Sequence, residues 1–556
     1  MKKVFSFLLV LLGFVVGTGA QTNVPLTLEA IQNGSVRFTN NAAGNVTYKV
    51  NGGSAQVIAS GRYADISLNA GQKVSFFGDN ATYTNINSYQ YSRISTTSDC
   101  YVYGNVMSLI SSTGYATATT LTESDAFTNL FEGAEKLKNQ ASKPLVLPAT
   151  TLSNNCYMWM FKDCKGLTKA PALPATEVTQ FCYQGMFANC TSLTEAPELP
   201  AKQLNWYCYS EMFYGCSSLK TPPALPATDL VDACYAGMFW FCSSLESAPE
   251  LPATYAPEGC YENMFYYCTS LTKAPSTLPA TYLGNACYRH MFAYCSSLKA
   301  APALPSMHLS KFCYSSMFTN CTSLTKASEL PATNLAEACY EYMYSTCTSL
   351  TTPPALPATK LESNCYTEMF FGCTSLKTAP ALPATQIAPQ CYMMMFEGCT
   401  SLTEAPDLPA TTLAKNCYYR MFQKCSNLTK APELPAAYLM ERCYAGMFSE
   451  CHKLNYLKCL ATNISANYCT LQWLENVAPT GVFSKAENMS WPRGVSGVPE
   501  GWQFEGEGVG TGVEAIDHPQ MTIDNAVYDL QGRRVEALKK GIYIRDGKKF
   551  IVTDER

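Results

Sequence analysis

The chain has 556 residues and is close to electrically neutral, with 39 Lys and Arg against 43 Asp and Glu. Only 15% of its residues are charged and it has no long basic run, which argues against a nucleic-acid partner held through its phosphates. A hydrophobic share of 47%, with 35 Tyr and 26 Phe, excludes a mostly disordered chain, and four His leave little material for acid–base or metal chemistry.

The first 20 residues have the pattern of a secretory signal peptide. Lys2 and Lys3 precede an apolar run at 4–16 and small residues at 18–20, which indicates cleavage before Gln21. The run is shorter than the roughly 20 residues that a helix needs to span a bilayer. A retained anchor helix is the alternative. Because no later apolar run is long enough to cross a bilayer, we predict an exported protein with no integral membrane span.

Residues 21–140 are predicted to form a β-rich domain. The segments 36–38, 46–50 and 73–77 combine β-branched and aromatic residues, and turn-forming sequences follow the last two. We predict a β-sandwich-like amino-terminal domain, followed by an irregular stretch that leads into the next region and caps it.

Between residues 141 and 458 one unit recurs twelve times, marked by Cys-Tyr-x-x-Met-Phe-x-x-Cys. Successive first cysteines lie 26 residues apart, except for a step of 27 between Cys260 and Cys287. The Tyr, the Met and a Leu three residues after the second cysteine occur in every unit, and the Phe is replaced once, by Tyr344. The first cysteines are Cys156, Cys182, Cys208, Cys234, Cys260, Cys287, Cys313, Cys339, Cys365, Cys391, Cys417 and Cys443.

Each unit predicts a short helix and a short strand. The apolar residues of the marked segment fall at relative positions 0, 1, 4, 5 and 8, which is one stripe of a two-turn α-helix. The following stretch contains prolines, which leave room only for a short strand. Because such a unit cannot bury its apolar stripe alone, copies must stack. We predict an α/β solenoid, a right-handed leucine-rich-repeat-like coil of about twelve 26-residue repeats.

The pattern Phe-x-x-Cys-x-x-Leu-Thr-x-Ala-Pro-x-Leu-Pro resembles the BspA-like leucine-rich repeats of bacterial surface proteins, a family abundant in gut and oral Bacteroidetes. The family's usual unit has about 23 residues and one cysteine, so this sequence departs from it in unit length, second cysteine and inserted proline. The resemblance implies a secreted or surface-displayed binding and adhesion protein without enzymatic activity.

Twenty-four of the 27 cysteines lie in the repeats, and Cys100, Cys459 and Cys469 lie outside them. Export permits disulfides. In a helix the two cysteines of one unit would be about 12 Å apart along the axis, beyond the roughly 7 Å that a disulfide allows between Cα atoms. Equivalent cysteines of adjacent coils would be close enough. Buried thiols, a disulfide pattern between coils and a metal site without histidine ligands all remain open.

No constellation of residues points to catalysis. The four His (His290, His308, His452 and His518) are scattered, and the sequence has no Gly-rich phosphate loop, nucleophile elbow or metal motif. We therefore predict a protein that is not an enzyme and needs no cofactor or metal.

Two variable positions after the conserved Phe carry aromatic residues in successive units. Equivalent positions of stacked coils form columns, so these residues are predicted to form a contiguous, partly exposed apolar patch that binds a protein or a glycan. The alternative is that the rings pack on neighbouring coils and shield the core. This aromatic patch consists of Tyr214, Trp240 and Tyr266 at the first position and Phe241, Tyr267 and Tyr294 at the second.

Three segments follow the repeats. Residues 459–504 contain three Trp and are predicted to close the open end of the solenoid, and the glycine-rich residues 505–514 to form a linker. In residues 515–556, Tyr-Asp-Leu-Gln-Gly-Arg-Arg-Val and Lys-Gly-Ile-Tyr-Ile predict strands joined by tight turns. These motifs resemble the carboxy-terminal sorting domains of the type IX secretion route. A small accessory β module is the alternative.

These patterns favour a non-enzymatic protein, secreted or on the outer-membrane cell surface, that binds or adheres to a host or bacterial surface protein or glycan. A carbohydrate-binding surface module of a glycan-uptake system is one alternative. A structural spacer that displays the amino-terminal domain is another. The sequence identifies no particular partner and no oligomeric state.

Overall fold

The computed structural model describes residues 22–506, apart from residues 86, 87 and 89, and four strands of the carboxyl-terminal tail. The predicted signal peptide at 1–20 and most of the predicted linker at 505–514 lie outside the described residues. The chain divides into two compact units, residues 1–505 and 506–556. Within the described residues, no helix has the length and apolar character needed to cross a bilayer.

Two β-sheets make up most of the amino-terminal region. One has the strand order β11-β10-β1-β6-β3-β4, with β12 also paired to β10, and the other has the order β5-β2-β9. Phe38 and Phe76 join the sheets through rings 5.0 Å apart. The strands are β1 (Thr27–Ala30), β2 (Gly34–Asn40), β3 (Val46–Val50), β4 (Gln56–Ile58), β5 (Arg62–Leu68), β6 (Lys73–Gly78), β7 (Thr84–Asn85), β8 (Gln90–Tyr91), β9 (Arg93–Thr96), β10 (Cys100–Asn105), β11 (Leu137–Asn139) and β12 (Leu145–Val146).

The amino-terminal sheet continues directly into the repeats. A 3-10 helix at Val106–Leu109 follows β10, and β10 pairs in parallel with β11 and β12, which lead into the first coil. Phe127 stacks on Tyr157 at 5.8 Å, and Phe131 stacks on Phe161 at 5.3 Å. These rings cover the apolar end of the first coil.

The segment between the two cysteines of each coil is not the helix that the sequence predicts. In the coil that begins at Cys156, the N–H of Met158 donates to the carbonyl of Asn155 (3.0 Å) and the N–H of Met160 donates to that of Tyr157 (3.2 Å). Each bond spans three residues, as in a β-turn, whereas an α-helical bond spans four. The helix prediction is therefore wrong. The segment is a run of overlapping β-turns, which we call the turn ribbon.

The error has a physical cause. Counted from the first cysteine of a coil as position 0, φ is positive at positions −1, +3 and +7, for example 58°, 54° and 61° at Asn155, Trp159 and Asp163. Two overlapping turns thus advance the chain by four residues. Over nine residues a four-residue period buries the same positions as the 3.6-residue period of a helix.

The remaining backbone donors of the turn ribbon bond to the next coil. Tyr157 donates to the carbonyl of Cys182 (3.0 Å) and Phe161 to that of Met186 (2.9 Å). In this coil the N–H groups at positions −1, +1, +3, +5 and +7 all cross to the following coil. The turn ribbon is therefore a ladder that fixes the register between coils.

Two buried aromatic columns run beneath the ladder. The Tyr rings at position +1 stack with centroids 5.5–5.9 Å apart. The rings at position +5, all Phe apart from Tyr344, stack at 5.4–5.9 Å. Each coil thus covers the apolar face of its neighbour, as a solenoid requires.

All 27 cysteines are free and buried. Each second cysteine donates its thiol to the carbonyl at position +5 of the preceding coil, as Cys190 does to Phe161 at 3.1 Å. Burial raises the pKa of these thiols, to about 12 for Cys373, so they stay protonated donors at neutral pH. The second cysteines therefore act as small buried residues that join neighbouring coils.

The other sides of the coils carry sparse backbone pairing. Isolated bridges such as Lys169–Glu195 and Glu177–Gln203 form two columns. Among the described residues 147–455, only β13 (Tyr255–Ala256) and β14 (Tyr282–Leu283) pair as strands. Prolines remove ladder donors here and limit pairing. We call these the proline-rich sides.

At the far end of the repeats, Trp473 lies 6.4 Å from Tyr444 and extends the tyrosine column. A parallel three-stranded sheet follows, of β15 (Tyr456–Cys459), β16 (Gly481–Lys485) and β17 (Trp502–Phe504). The tail forms a separate antiparallel sheet in the order β19-β18-β20-β21. Its strands are β18 (Val527–Tyr528), β19 (Arg534–Val535), β20 (Gly541–Arg545) and β21 (Lys548–Val552).

Candidate binding site on the turn ribbon

The aromatic patch lies on the outer face of the turn ribbon. Positions +6 and +7 fall between the buried ring at +5 and the buried second cysteine at +8, and their side chains face away from the core. Phe241 is 38% exposed, and the other five rings are half-buried. The structure therefore places all six predicted residues on one face, in four consecutive coils.

The six rings touch one another. Tyr214 and Tyr266 meet Trp240 at near right angles, with centroids 5.5 and 5.4 Å away. Tyr267 and Tyr294 stack in parallel at 4.4 Å. Phe241 connects the two groups, because it lies 5.8 Å from Trp240 and 5.1 Å from Tyr267. The patch is thus one continuous surface.

Three rings of the patch sit on an unfavourable backbone conformation. Phe241, Tyr267 and Tyr294 have φ of 61°, 62° and 63°. Left-handed conformations cost a bulky L-residue about 1–2 kcal/mol, and Gly, Asn and Asp tolerate them best. Three other coils carry Thr, Lys or Glu here. The remaining six coils carry a residue that tolerates this conformation at position +7, namely Asp163, Asn189, Gly215, Asn320, Gly372 and Gly398.

A pocket that sequence reasoning missed adjoins the patch. It has a volume of about 240 Å³ and lies between Tyr266 and Tyr294 on one side and Tyr342 on the other. Its remaining lining is His290, Ala293, Ser316 and Thr319. Ala293 follows Tyr214, Trp240 and Tyr266 in the column at position +6, so the change from large to small residue was the signal in the sequence. We call this the ribbon pocket.

The ribbon pocket is uncharged at its centre. Burial, and then the neighbouring Arg289, lower the pKa of His290 to about 4, so its imidazole is neutral at pH 7 and can both donate and accept a hydrogen bond. Arg289 itself donates from Nε to Glu262 at 2.8 Å. The pocket can therefore take an uncharged group that combines apolar surface with a polar atom.

The rim of the ribbon pocket beyond Tyr342 is acidic and sensitive to pH. Burial, with additional repulsion from Glu368 and Glu337, raises the pKa of Glu341 to about 7. Burial also raises the pKa of Glu368. This rim loses negative charge as pH falls below neutrality.

A second exposed aromatic group lies on a proline-rich side and was not predicted. Tyr255 and Tyr282 are 53% and 60% exposed, and Tyr282 stacks on His308 with centroids 5.0 Å apart.

The described residues contain no group of three or more His, Cys, Asp or Glu placed to hold a metal ion. The aromatic patch and the ribbon pocket therefore offer contact through aromatic rings, hydroxyls and the neutral imidazole of His290.

A family profile matches the chain over the repeats and their flanks. The profile describes the BspA type leucine-rich repeat region in six copies, and it matches residues 128–246, 183–325, 258–403 and 366–477. Together the matches run from residue 128 to residue 477, more than half of the chain.

Three solved structures are similar to the chain at low identity. A leucine-rich repeat protein from Bacteroides ovatus ATCC 8483 is 19% identical over 62% of this chain and 88% of that one, with a TM-score of 0.34. The TLR13–ssRNA13 complex is 14% identical over 63% of this chain and 49% of that one (TM-score 0.19). An internalin (inlF) from Listeria monocytogenes is 10% identical over 52% of this chain and 86% of that one (TM-score 0.17). No curated protein matches the chain.

Proposed function

Because this chain belongs to the BspA-type leucine-rich repeat family, we propose that it is a non-enzymatic, secreted or cell-surface protein that binds another protein through its aromatic patch. The partner is a macromolecule of a host or bacterial surface, and binding serves adhesion. The repeats supply a rigid scaffold, and the outward positions of the turn ribbon supply the contact residues.

The observation that carries this proposal is the backbone conformation of the patch. Phe241, Tyr267 and Tyr294 occupy left-handed positions where six other coils have Gly, Asn or Asp. Bulky rings there cost stability in three successive coils. Bulky residues also hold left-handed backbone elsewhere in the ribbon, for example Trp159 and Phe181, but aromatic rings at position +7 occur only in these three successive coils. Their clustering favours a binding role over simple shielding of the core.

The arrangement of the rings favours a protein partner over a sugar. A sugar stacks on an open ring face, but Tyr267 and Tyr294 cover one another at 4.4 Å, and Trp240 makes edge-to-face contacts on two sides. Protein interfaces are enriched in Tyr and Trp of this kind, which supply large contact area at low cost in conformational entropy.

The ribbon pocket supports the same function. Interface energy concentrates in a few anchors that fill desolvated pockets. The pocket lies beside Tyr266 and Tyr294, so one partner segment could cover the patch and place a side chain between Tyr294 and Tyr342. Its neutral His290 and its hydroxyls suit an uncharged side chain with a polar end.

The test is binding of the full chain to parallel arrays of extracellular-matrix proteins and of glycans. We expect binding to one or more proteins. The double variant W240A/Y266A should lower that affinity by at least about 30-fold, since central aromatic residues contribute about 2 kcal/mol or more each. The double variant Y255A/Y282A removes two more exposed rings from a proline-rich side and should bind as the parent does.

Two results would overturn the proposal. One is unchanged protein binding by W240A/Y266A with an unchanged circular dichroism spectrum. The other is binding to neutral glycans alone, which would favour a carbohydrate-binding module of a glycan-uptake system.

Export is part of the proposal and has its own test. Residues 1–20 supply the signal sequence, and the tail at 515–556 serves sorting by the type IX route. Its described strands β18–β21 are compatible with such a module. Mass spectrometry of the mature protein from its native cells should find an amino terminus at Gln21 and loss or modification of the tail. An intact, unmodified chain inside the cells would contradict export.

A further inference from the structure

A polar groove on another face of the solenoid carries positive charge. It has a volume of about 410 Å³ and opens along four consecutive coils, those that begin at Cys365, Cys391, Cys417 and Cys443. The two outer coils each contribute a lysine, and the two inner coils contribute hydroxyl and amide groups. This lysine groove is lined by Lys377, Ser401, Thr403, Asn427, Thr429 and Lys453.

Repeat geometry builds the groove. The Leu at position +11 of each coil points into the core, as Leu402 and Leu428 do at 0% exposure. The residues at positions +10 and +12 on either side of it face outward, and stacking turns them into two polar rows. In most coils these rows are Ser and Thr. Lys377 at +12 and Lys453 at +10 interrupt them at the two ends of the groove.

Among the described residues, the two lysines have no carboxylate partner. Several surface lysines of the repeats pair with a glutamate of an adjacent coil, for example Lys169 with Glu195 at 2.8 Å. Lys377 and Lys453 are exposed and form no ion pair with any residue that the structure describes. Glu404, which follows Thr403 in the chain, is paired with Lys430 at 3.5 Å. The groove is thus a local positive site in a chain of net charge −4.

The centre of the groove offers both donors and acceptors. The hydroxyls of Ser401 and Thr403 form no hydrogen bond within the described chain, and the Thr429 hydroxyl donates to the Thr403 carbonyl at 3.1 Å, which leaves its own oxygen able to accept. Asn427 donates its amide to the Thr400 carbonyl at 2.7 Å and keeps its side-chain oxygen. No aromatic or aliphatic side chain lines the groove. Such a surface matches a ligand rich in hydroxyl groups.

We propose that the lysine groove binds an acidic oligosaccharide, a hydroxyl-rich chain that carries carboxylate or sulfate groups. Three coil steps of roughly 4.8 Å separate Lys377 from Lys453, about 14 Å in all, so no single small anion reaches both. The ligand must carry at least two anionic groups along an extended chain. A phosphopeptide fits less well, because the described residues that line the groove include no aromatic residue and no Leu, Ile, Val or Met to receive peptide side chains.

This site is independent of the aromatic patch. It uses positions +10 and +12 of later coils, whereas the patch uses positions +6 and +7 of the coils from Cys208 to Cys287. Failure of either proposal therefore leaves the other intact.

The experiment is titration calorimetry of the full chain with three probes: sulfated heparin oligosaccharides, carboxylated oligogalacturonides and neutral cello-oligosaccharides. We expect binding to at least one of the two acidic probes, weaker at higher salt, and none to the neutral probe. The two acidic probes distinguish sulfate from carboxylate. K377A and K453A should each lower the affinity about fivefold, which corresponds to about 1 kcal/mol per charged contact.

K299A is the matched control, because Lys299 occupies position +12, as Lys377 does, in a coil outside the groove. It should leave the affinity unchanged. Absence of binding to both acidic probes overturns the proposal. So does an equal loss in K299A and K377A, which would indicate nonspecific attraction. A further titration with a doubly phosphorylated peptide tests the other ligand class, and tighter binding of that peptide than of either acidic glycan would also overturn the proposal.

Discussion

The turn ribbon and the proline-rich sides belong to the same coils but connect them differently. In the coil that begins at Cys156 the ribbon sends five backbone N–H groups to the next coil, whereas the proline-rich sides carry isolated bridges. The ribbon also holds the stacked Tyr and Phe rings and the buried thiols. The comparison indicates that contacts within the ribbon determine the spacing of the coils, and that the proline-rich sides adopt the same spacing.

This difference bears on where binding evolves. A residue on the outer face of the ribbon stands on backbone that is bonded on both sides, so its position is fixed before a partner arrives. Preorganised contact residues bind more tightly, because less conformational freedom is lost on association. The aromatic patch and the ribbon pocket both use such positions.

The largest expected effect is unfolding of the chain at alkaline pH, caused by the buried thiols of the ribbon. Burial raises the pKa of the ribbon thiols, to about 12 for Cys313, against about 8.5 in an unfolded chain. Because the folded pKa is the higher one, this stability is fully present below pH 8.5 and is lost as pH rises towards the folded value. Each buried thiol then removes about 1.4 kcal/mol of unfolding free energy per pH unit. We expect cooperative unfolding between about pH 9 and pH 10.5, given 24 such residues.

Circular dichroism and ultraviolet thiolate absorbance, recorded together under reducing conditions, provide the measurement. Thiolate should appear only as the ordered structure disappears. Thiolate absorbance that rises near pH 8.5 while the spectrum stays native would show that the ribbon cysteines are not buried.

The second contrast is tolerance of proline. Asn263 lies in the ribbon with φ of 56°, and its N–H donates to the Arg289 carbonyl of the next coil at 2.9 Å. Proline can supply neither the φ nor the donor, so N263P should lose about 3 kcal/mol or more in urea denaturation. Ala381 is exposed on a proline-rich side, and its N–H bonds to no described backbone carbonyl. A381P should therefore change stability by less than about 1 kcal/mol. Equal losses would remove the distinction between the two sides.

The sequence predicts the stacking, because the 26-residue period, the invariant Tyr, Met and Leu and the family resemblance all require it. It does not predict the ribbon, since apolar residues at 0, 1, 4, 5 and 8 satisfy a helix and a run of turns equally. The frequent Asn, Asp and Gly at positions −1, +3 and +7 carry the missing information. Their four-residue spacing marks left-handed backbone that a helix would not contain.

The candidate site was predictable only where its residues lie in two adjacent columns, at positions +6 and +7. Equivalent positions stack, so the six rings of the patch could be placed together from the sequence. The ribbon pocket combines position +3, in His290 and Tyr342, with position +6, in Ala293 and Thr319, and these four residues come from three successive coils. The lysine groove likewise joins two columns across four coils. Such combinations depend on the path of the ribbon and on the offset between columns, which the repeat period leaves undetermined.

The smallest contrast concerns two neighbouring coils, in which a change on a proline-rich side of one and a change in the ribbon of the next compensate each other. Tyr344 is the one tyrosine at position +5 of the twelve units, and Ser328 stands at position +15, where ten of the other eleven units have a proline. The Ser328 N–H, which a proline would lack, donates to the Tyr344 hydroxyl at 3.1 Å. Y344F should therefore cost about 1–3 kcal/mol in urea denaturation, because it leaves a buried N–H without its acceptor.

The double variant S328P/Y344F decides whether this bond is the reason. It recreates the Pro–Phe pair of the other coils, so its free energy of unfolding should lie within about 1 kcal/mol of the parent's. S328P alone leaves the Tyr344 hydroxyl unpaired. It also loses the hydrogen bond from the Ser328 hydroxyl to the Pro302 carbonyl (2.7 Å). The two single losses would then exceed the loss in the double variant. Additive losses of stability would mean that the serine and the tyrosine arose independently. A substitution on a proline-rich side would then have no energetic effect on the ribbon.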